Sequence, residues 1–122
     1  MTVATLAVIF AASAAVFTGA VGLLFLRDPV RGFAITTHRL EQLPQVMSDR
    51  YFALALLALG SAVYGDFKVI AYLFAVYAFV SFADAWIYAR INRPYVKHVA
   101  AGVLSIIVMV TALVALNPGV TA

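Results

Sequence analysis

Within its apolar segments the chain offers three ionisable side chains that could do chemistry: Arg50, Asp84 and His98. Asp84 lies in VIAYLFAVYAFVSFADAWIYA, residues 69–89, which is otherwise apolar enough for lipid. Tyr77, Ser81, Asp84 and Tyr88 fall at i, i+4, i+7 and i+11 and share one face of a helix. A lone ionised group in hydrocarbon is costly, so Asp84 needs a partner, and intramembrane ionisable residues are functional candidates by default. An acid, a histidine and several tyrosines (Tyr77, Tyr88, Tyr95, with Trp86) suit the lining of a pocket for an apolar small molecule of the quinone, sterol-like or terpenoid kind. In an enzyme the same set would make Asp84 or His98 the proton-transfer group and Arg50 its electrostatic partner, which fits isomerisation or hydrogen transfer better than hydrolysis. Purely structural readings stand beside these. The charges can pair to hold helices together, and Tyr and Trp near helix ends form the ordinary interfacial belt.

The elements that must position these residues follow from composition. The chain has 122 residues, 66% hydrophobic and 11% charged. A soluble domain carries roughly 25% charged residues, so this composition is that of an integral membrane protein. The length accommodates one domain of four helices, and the continuous apolar runs argue against a β-barrel. The predicted fold is an all-α, antiparallel four-helix membrane bundle with spans at about 3–26, 47–64, 69–89 and 95–116. An amphipathic interfacial segment joins the first two spans. There are no cysteines, which excludes thiol chemistry and disulfides. The two histidines have no metal-ligand spacing, and no cofactor is expected. No P-loop, glycine-rich dinucleotide loop or Ser–His–Asp set is present. The net charge of +3 comes from basic loops that read as topology signals rather than a nucleic-acid surface.

In the first span no basic residue precedes the apolar run, and the run exceeds a signal-peptide core, so it reads as a retained span. Ala11, Ala15 and Gly19 make a small-residue ridge, with Thr18 and Gly22 a second, and either could pack inside the subunit or against another copy. Asp28 and Pro29 predict a helix start. The polar stretch to Met47 reads as an interfacial linker in which Arg31 and Arg39 face lipid phosphates; the sharper alternative is a lid with His38 at its tip. The second span has a short apolar part, 51–64, so it must draw in Arg50 and residues 47–49. Counting outward from a turn at 65–68, Arg50 lies 15 residues before Gly65 and Asp84 lies 15 after Val69. This predicts an Arg50–Asp84 salt bridge. Asn92, Arg93 and Pro94 predict a helix stop, and Asn117, Pro118 and Gly119 another. His98, Gly102, Ser105 and Met109 share the face of the last span that should pack on the preceding one, with His98 level with Tyr88.

Lysine and arginine counts orient the bundle. Arg27, Arg31, Arg39, Arg50, Arg90, Arg93 and Lys97 fall on one side and Lys68 alone on the other. The positive-inside rule then places both termini on the non-cytoplasmic side.

The Arg50-Tyr-Phe-Ala-Leu-Ala-Leu-Leu stretch, the Asp84-Ala85 pair and His98 at the head of the last helix, in a four-span chain of this size, resemble the DoxX-like group of small membrane proteins. The nearest resemblance is to one of its uncharacterised, domain-of-unknown-function families. It covers about residues 47–116. Tyr51 stands where the group often has an acid after the arginine, and Asp49 precedes Arg50 instead. The resemblance implies the four-helix fold and gives weight to Arg50, Asp84 and His98; some named relatives resemble quinone-linked oxidoreductase subunits. Three functional classes follow: a binder of an apolar small molecule with Arg50, Tyr77, Ser81, Asp84, Tyr88 and His98 at the site; a membrane enzyme or an accessory subunit of a membrane complex; and a small proton-coupled exporter. The exporter ranks last because the first span holds no charge and Arg50 would neutralise Asp84. A homo-oligomer or a membrane-complex partner fits the small-residue ridges.

Overall fold

In the computed structural model, residues 3–117 are described, with the backbone alone for residues 4–8, 11, 12, 14 and 15. Pro118 and Gly119 of the expected last stop, and the side chains of Ala11 and Ala15 in the first ridge, lie outside the described residues. The chain is helical throughout, with no strand among the described residues: α1 (Val3–Arg27), α2 (Pro29–Thr36), a 3-10 turn (Leu40–Gln42), α3 (Leu43–Tyr64), α4 (Phe67–Arg90) and α5 (Val96–Ala115). It divides into two compact units, Met1–Asp49 and Arg50–Ala122. Helices α3, α4 and α5 are long and apolar enough to cross a membrane.

In the first unit, α2 starts as its sequence predicts. The Asp28 carboxylate accepts the Arg31 amide at 3.0 Å, and Pro29 occupies the first turn, where its missing N–H costs nothing. The Phe33 ring meets Phe25 of α1 edge-on at 5.3 Å. Gly32 lets that ring in, since a Cβ there would lie 2.9 Å from it.

In the second unit, the α3–α4 link is Gly65 and Asp66 alone. Gly65 takes φ +73 and its amide reaches the Ser61 carbonyl at 3.0 Å, the left-handed stop that glycine permits. The Asp66 carboxylate then caps α4 by accepting the Lys68 amide at 2.8 Å and the Val69 amide at 3.3 Å. Helix α4 ends at the expected asparagine. Asn92 has φ 53, its amide bonds the Ala89 carbonyl at 3.2 Å, and the Arg93 amide bonds the Tyr88 carbonyl at 3.0 Å. That pair of bonds is a Schellman motif.

The closest packing is between α4 and α5. Contacts between Phe82 and Gly102 and between Tyr88 and His98 have residue numbers that rise on one helix as they fall on the other, so the pair is antiparallel. Its core is made of small residues: Ala71, Ala78 and Ala85 of α4, and Gly102, Ser105 and Ala112 of α5, are buried. The alanines recur every seven residues, the seam of a coiled coil. Small side chains let the backbones approach, the usual device for helix pairs in lipid. Large apolar side chains point outward instead: Phe79 is 72% exposed, Tyr72 74% and Leu104 64%. That inverts the soluble-protein pattern and suits a lipid bilayer. Ser105 of this seam is satisfied locally, donating to the Ala101 carbonyl at 2.9 Å, as is the buried Ser61 of α3, donating to the Ala58 carbonyl at 2.9 Å.

Two expected boundaries move. Helix α3 begins at Leu43 rather than near residue 47, with Pro44 in its first turn where proline is tolerated. Helix α4 begins at Phe67 rather than Val69 because Asp66, not Lys68, supplies the cap.

Candidate functional site

Between α3 and the α4–α5 pair lies a cavity of about 300 Å³. Leu54, Ala55 and Ala58 of α3, Val80 of α4 and Ala101 of α5 make its apolar wall. Its polar groups are Tyr51, Tyr77, Ser81, Asp84, His98 and Ser105. The opening arises because α3 stands off from α4, while α4 and α5 close on each other through alanine and glycine. Tyr77 crosses part of the gap, its phenol donating to the backbone carbonyl of Leu54, with its ring tilted against Phe74 at 5.2 Å.

Asp84 and His98 meet at this cavity. His98 Nδ1 lies 3.8 Å from Asp84 Oδ2, an ion-pair distance when the imidazole is protonated and too long for a hydrogen bond. The imidazole also stacks on the Tyr88 ring, with centroids 4.9 Å apart and planes 12° from parallel. The ring is therefore held on one face by a phenol and turned by one nitrogen toward a carboxylate. That arrangement leaves Nε2 as the nitrogen not facing Asp84, the disposition a proton-carrying imidazole needs.

The structure brings four of the six expected binding residues to one cavity: Tyr77, Ser81, Asp84 and His98. Tyr88 stands behind His98 instead of lining the cavity, level with it as the helix count predicted. Trp86 and Tyr95 are not in the lining and are 66% and 45% exposed.

The expected Arg50–Asp84 salt bridge is not formed. Among the described residues the ion pair within 4.0 Å at Asp84 is with His98. The reason is the length of the link. A two-residue turn makes Tyr64 and Phe67 level, so Arg50, 14 residues before Tyr64, is level with Ser81, 14 after Phe67. Asp84 is three residues further on, about 4.5 Å along the axis. Counting the turn as 65–68 had absorbed that offset. Tyr51, the neighbour of Arg50, is the α3 residue that enters the lining.

No family model, no curated protein and no solved structure matches the chain. The reading of the site therefore rests on its own geometry. Among the described residues there is no group of three or more His, Cys, Asp or Glu side chains placed to hold a metal ion.

Sequence reasoning missed two features. Tyr51, about two turns into α3, lines the cavity, a placement that its position in the motif does not indicate. The Ala71–Ala78–Ala85 register was hidden by attention to the polar face of the same helix, yet its seven-residue spacing was readable.

Proposed function

We propose that this is a multi-pass membrane protein that binds an apolar small molecule bearing one polar group, in the cavity among α3, α4 and α5. The observation that carries this reading is a wall of leucine, valine and alanine ending at one acid–histidine pair. Such a combination fixes the orientation of a ligand by its polar end and holds its body by area. The outward apolar side chains support a bilayer setting. The proposal includes α1 as a fourth span, with the basic loops cytoplasmic. It also retains the resemblance to the DoxX-like group, which rests on Arg50, Asp84–Ala85 and His98.

The test is cavity filling. Ala101→Phe and Ala55→Phe, made separately and purified in nanodiscs, should each abolish saturable binding of apolar probes or release any co-purified molecule seen by native mass spectrometry. A variant that unfolds is replaced by the other. Wild-type protein with no saturable ligand, or filled variants that bind as before, would defeat the reading.

A second reading has its own support. His98 Nδ1 at 3.8 Å from the Asp84 carboxylate sets an imidazole beside an acid at the cavity, and makes a proton-transfer reaction on the bound molecule the enzymatic alternative. His98→Gln would then abolish turnover while leaving binding intact.

A further inference from the structure

The charges at the cavity narrow the ligand class, an inference that rests on the binding reading above. Its lining holds one acid, Asp84, and one base that can gain or lose a proton, His98; no lysine or arginine is in it. Tyr51 of α3 and Tyr77 of α4 are the other titratable groups in the lining, and both phenols are uncharged as donors or aromatic faces. Arg50 and Lys97 are next to Tyr51 and His98 in sequence but are not in the lining. Tyr88 stacks on the imidazole and is not in the lining. With Asp84 ionised, the cavity is neutral when His98 is protonated and carries one negative charge when it is not. In neither state is it positive, so it has no counter-charge for an anion.

The Asp84 carboxylate accepts no hydrogen bond shown in the structure, its nearest charged neighbour is an imidazole at 3.8 Å, and its side chain is 42% exposed at the opening. We infer that the cavity takes a hydrophobic monovalent cation, an amine or quaternary ammonium with an apolar body. The Asp84 carboxylate supplies its counter-charge, with no lysine or arginine in the lining to compete. The phenol faces of Tyr51 and Tyr77 add cation–π attraction. The apolar wall accepts the rest of the ligand.

An isosteric pair tests this. Benzyltrimethylammonium and neopentylbenzene have the same shape and differ by one charge; phenylmethanesulfonate supplies the anion. Binding to the full chain in zwitterionic nanodiscs is read by imidazole NMR in a His38→Gln background, which leaves His98 as the one histidine because the chain has two. The cation should bind at least tenfold more tightly than the neutral isostere, and the anion should not bind. Asp84→Asn should remove the preference for the cation while neopentylbenzene still binds. Asp84→Glu, which keeps the charge if Asn disturbs folding, should retain the preference. Equal affinity for the isosteres or a preference for the anion overturns the inference and leaves the binding reading in place. Failure of all three probes, with no effect of Ala101→Phe on any co-purified molecule, removes both.

Discussion

Tyr77 shows how a single side chain sets the width of the cavity. Its ring rests on Phe74, and its hydroxyl reaches the Leu54 carbonyl on the facing helix. That carbonyl lies inside α3, so the phenol adds a second donor to an acceptor already in a helical ladder. Interhelical hydrogen bonds of this type in lipid contribute on the order of 0.6 kcal/mol, because the separated helices find other partners. Tyr77→Phe keeps the ring and removes the bond. It should destabilise the protein by roughly 0.5–1 kcal/mol in a denaturation series in detergent, a loss visible as a lower midpoint with unchanged slope. A loss above about 2 kcal/mol would mean that the phenol carries more of the α3–α4 contact than one such bond can. The neighbouring pair behaves differently. Asp84 and His98 are partly exposed at the opening, where solvent and ligand compete for them, so they are placed for exchange rather than for holding helices together.

At the scale of helices, the α4–α5 seam decides how closely the two can approach. A Cβ on Gly102 would lie 2.7 Å from the Phe82 ring, closer than atoms pack. Alanine is favoured over glycine inside a helix by about 1 kcal/mol, whereas overpacking costs typically 1–3 kcal/mol. Gly102→Ala should therefore lose about 1 kcal/mol net. In a Phe82→Ala background the ring is gone, and the same substitution should stabilise by up to about 1 kcal/mol. A double-mutant cycle in detergent checks the change of sign, and additive effects would show that the ring turns aside freely. Much of this level was readable in the residues. Asp28 and Asn92 begin or end helices where their chemistry predicts, and His98, Gly102 and Ser105 share the face that packs. The Arg50 pairing was not readable, because register along a hairpin depends on whether the turn holds two residues or four. The Asp66 cap decides that, and an error of two or three residues displaces a charge by roughly 3–4.5 Å along the helix axis. The cavity was not readable either, since a gap between helices reflects where small residues are absent from a seam as much as which residues line it.

For the whole molecule the question of physical consequence is which side of the bilayer each helix connection occupies, because that fixes which leaflet the acid–histidine pair faces, while the fate of α1 sets the number of crossings. Three helices, α3, α4 and α5, have the length and apolarity to cross. The basic residues Arg90, Arg93 and Lys97 flank the α4–α5 link, and Lys68 stands alone beside the α3–α4 link, so the positive-inside rule predicts the first link in the cytoplasm and the second outside. On that expectation Asp84 and His98 would lie in the cytoplasmic half whether or not α1 crosses. The N-terminus distinguishes the cases. If α1 also crosses, Thr2 is outside; if it lies along the surface, Thr2 is on the cytoplasmic side with Arg31 and Arg39. The 25 residues of α1 extend about 37 Å, enough for a ~30 Å core with tilt, which is the length argument behind the proposed fourth span. Because the chain has no cysteine, single cysteines report without background. Thr2→Cys and Lys68→Cys should react with a membrane-impermeant maleimide added to intact cells, while Arg39→Cys and Arg93→Cys should react only after the membrane is opened. Labelling at Lys68 but not at Thr2 would reduce the protein to three spans and α1 to a surface helix, without moving the cavity. Labelling at Arg93 in intact cells would invert the topology and turn the opening toward the other leaflet.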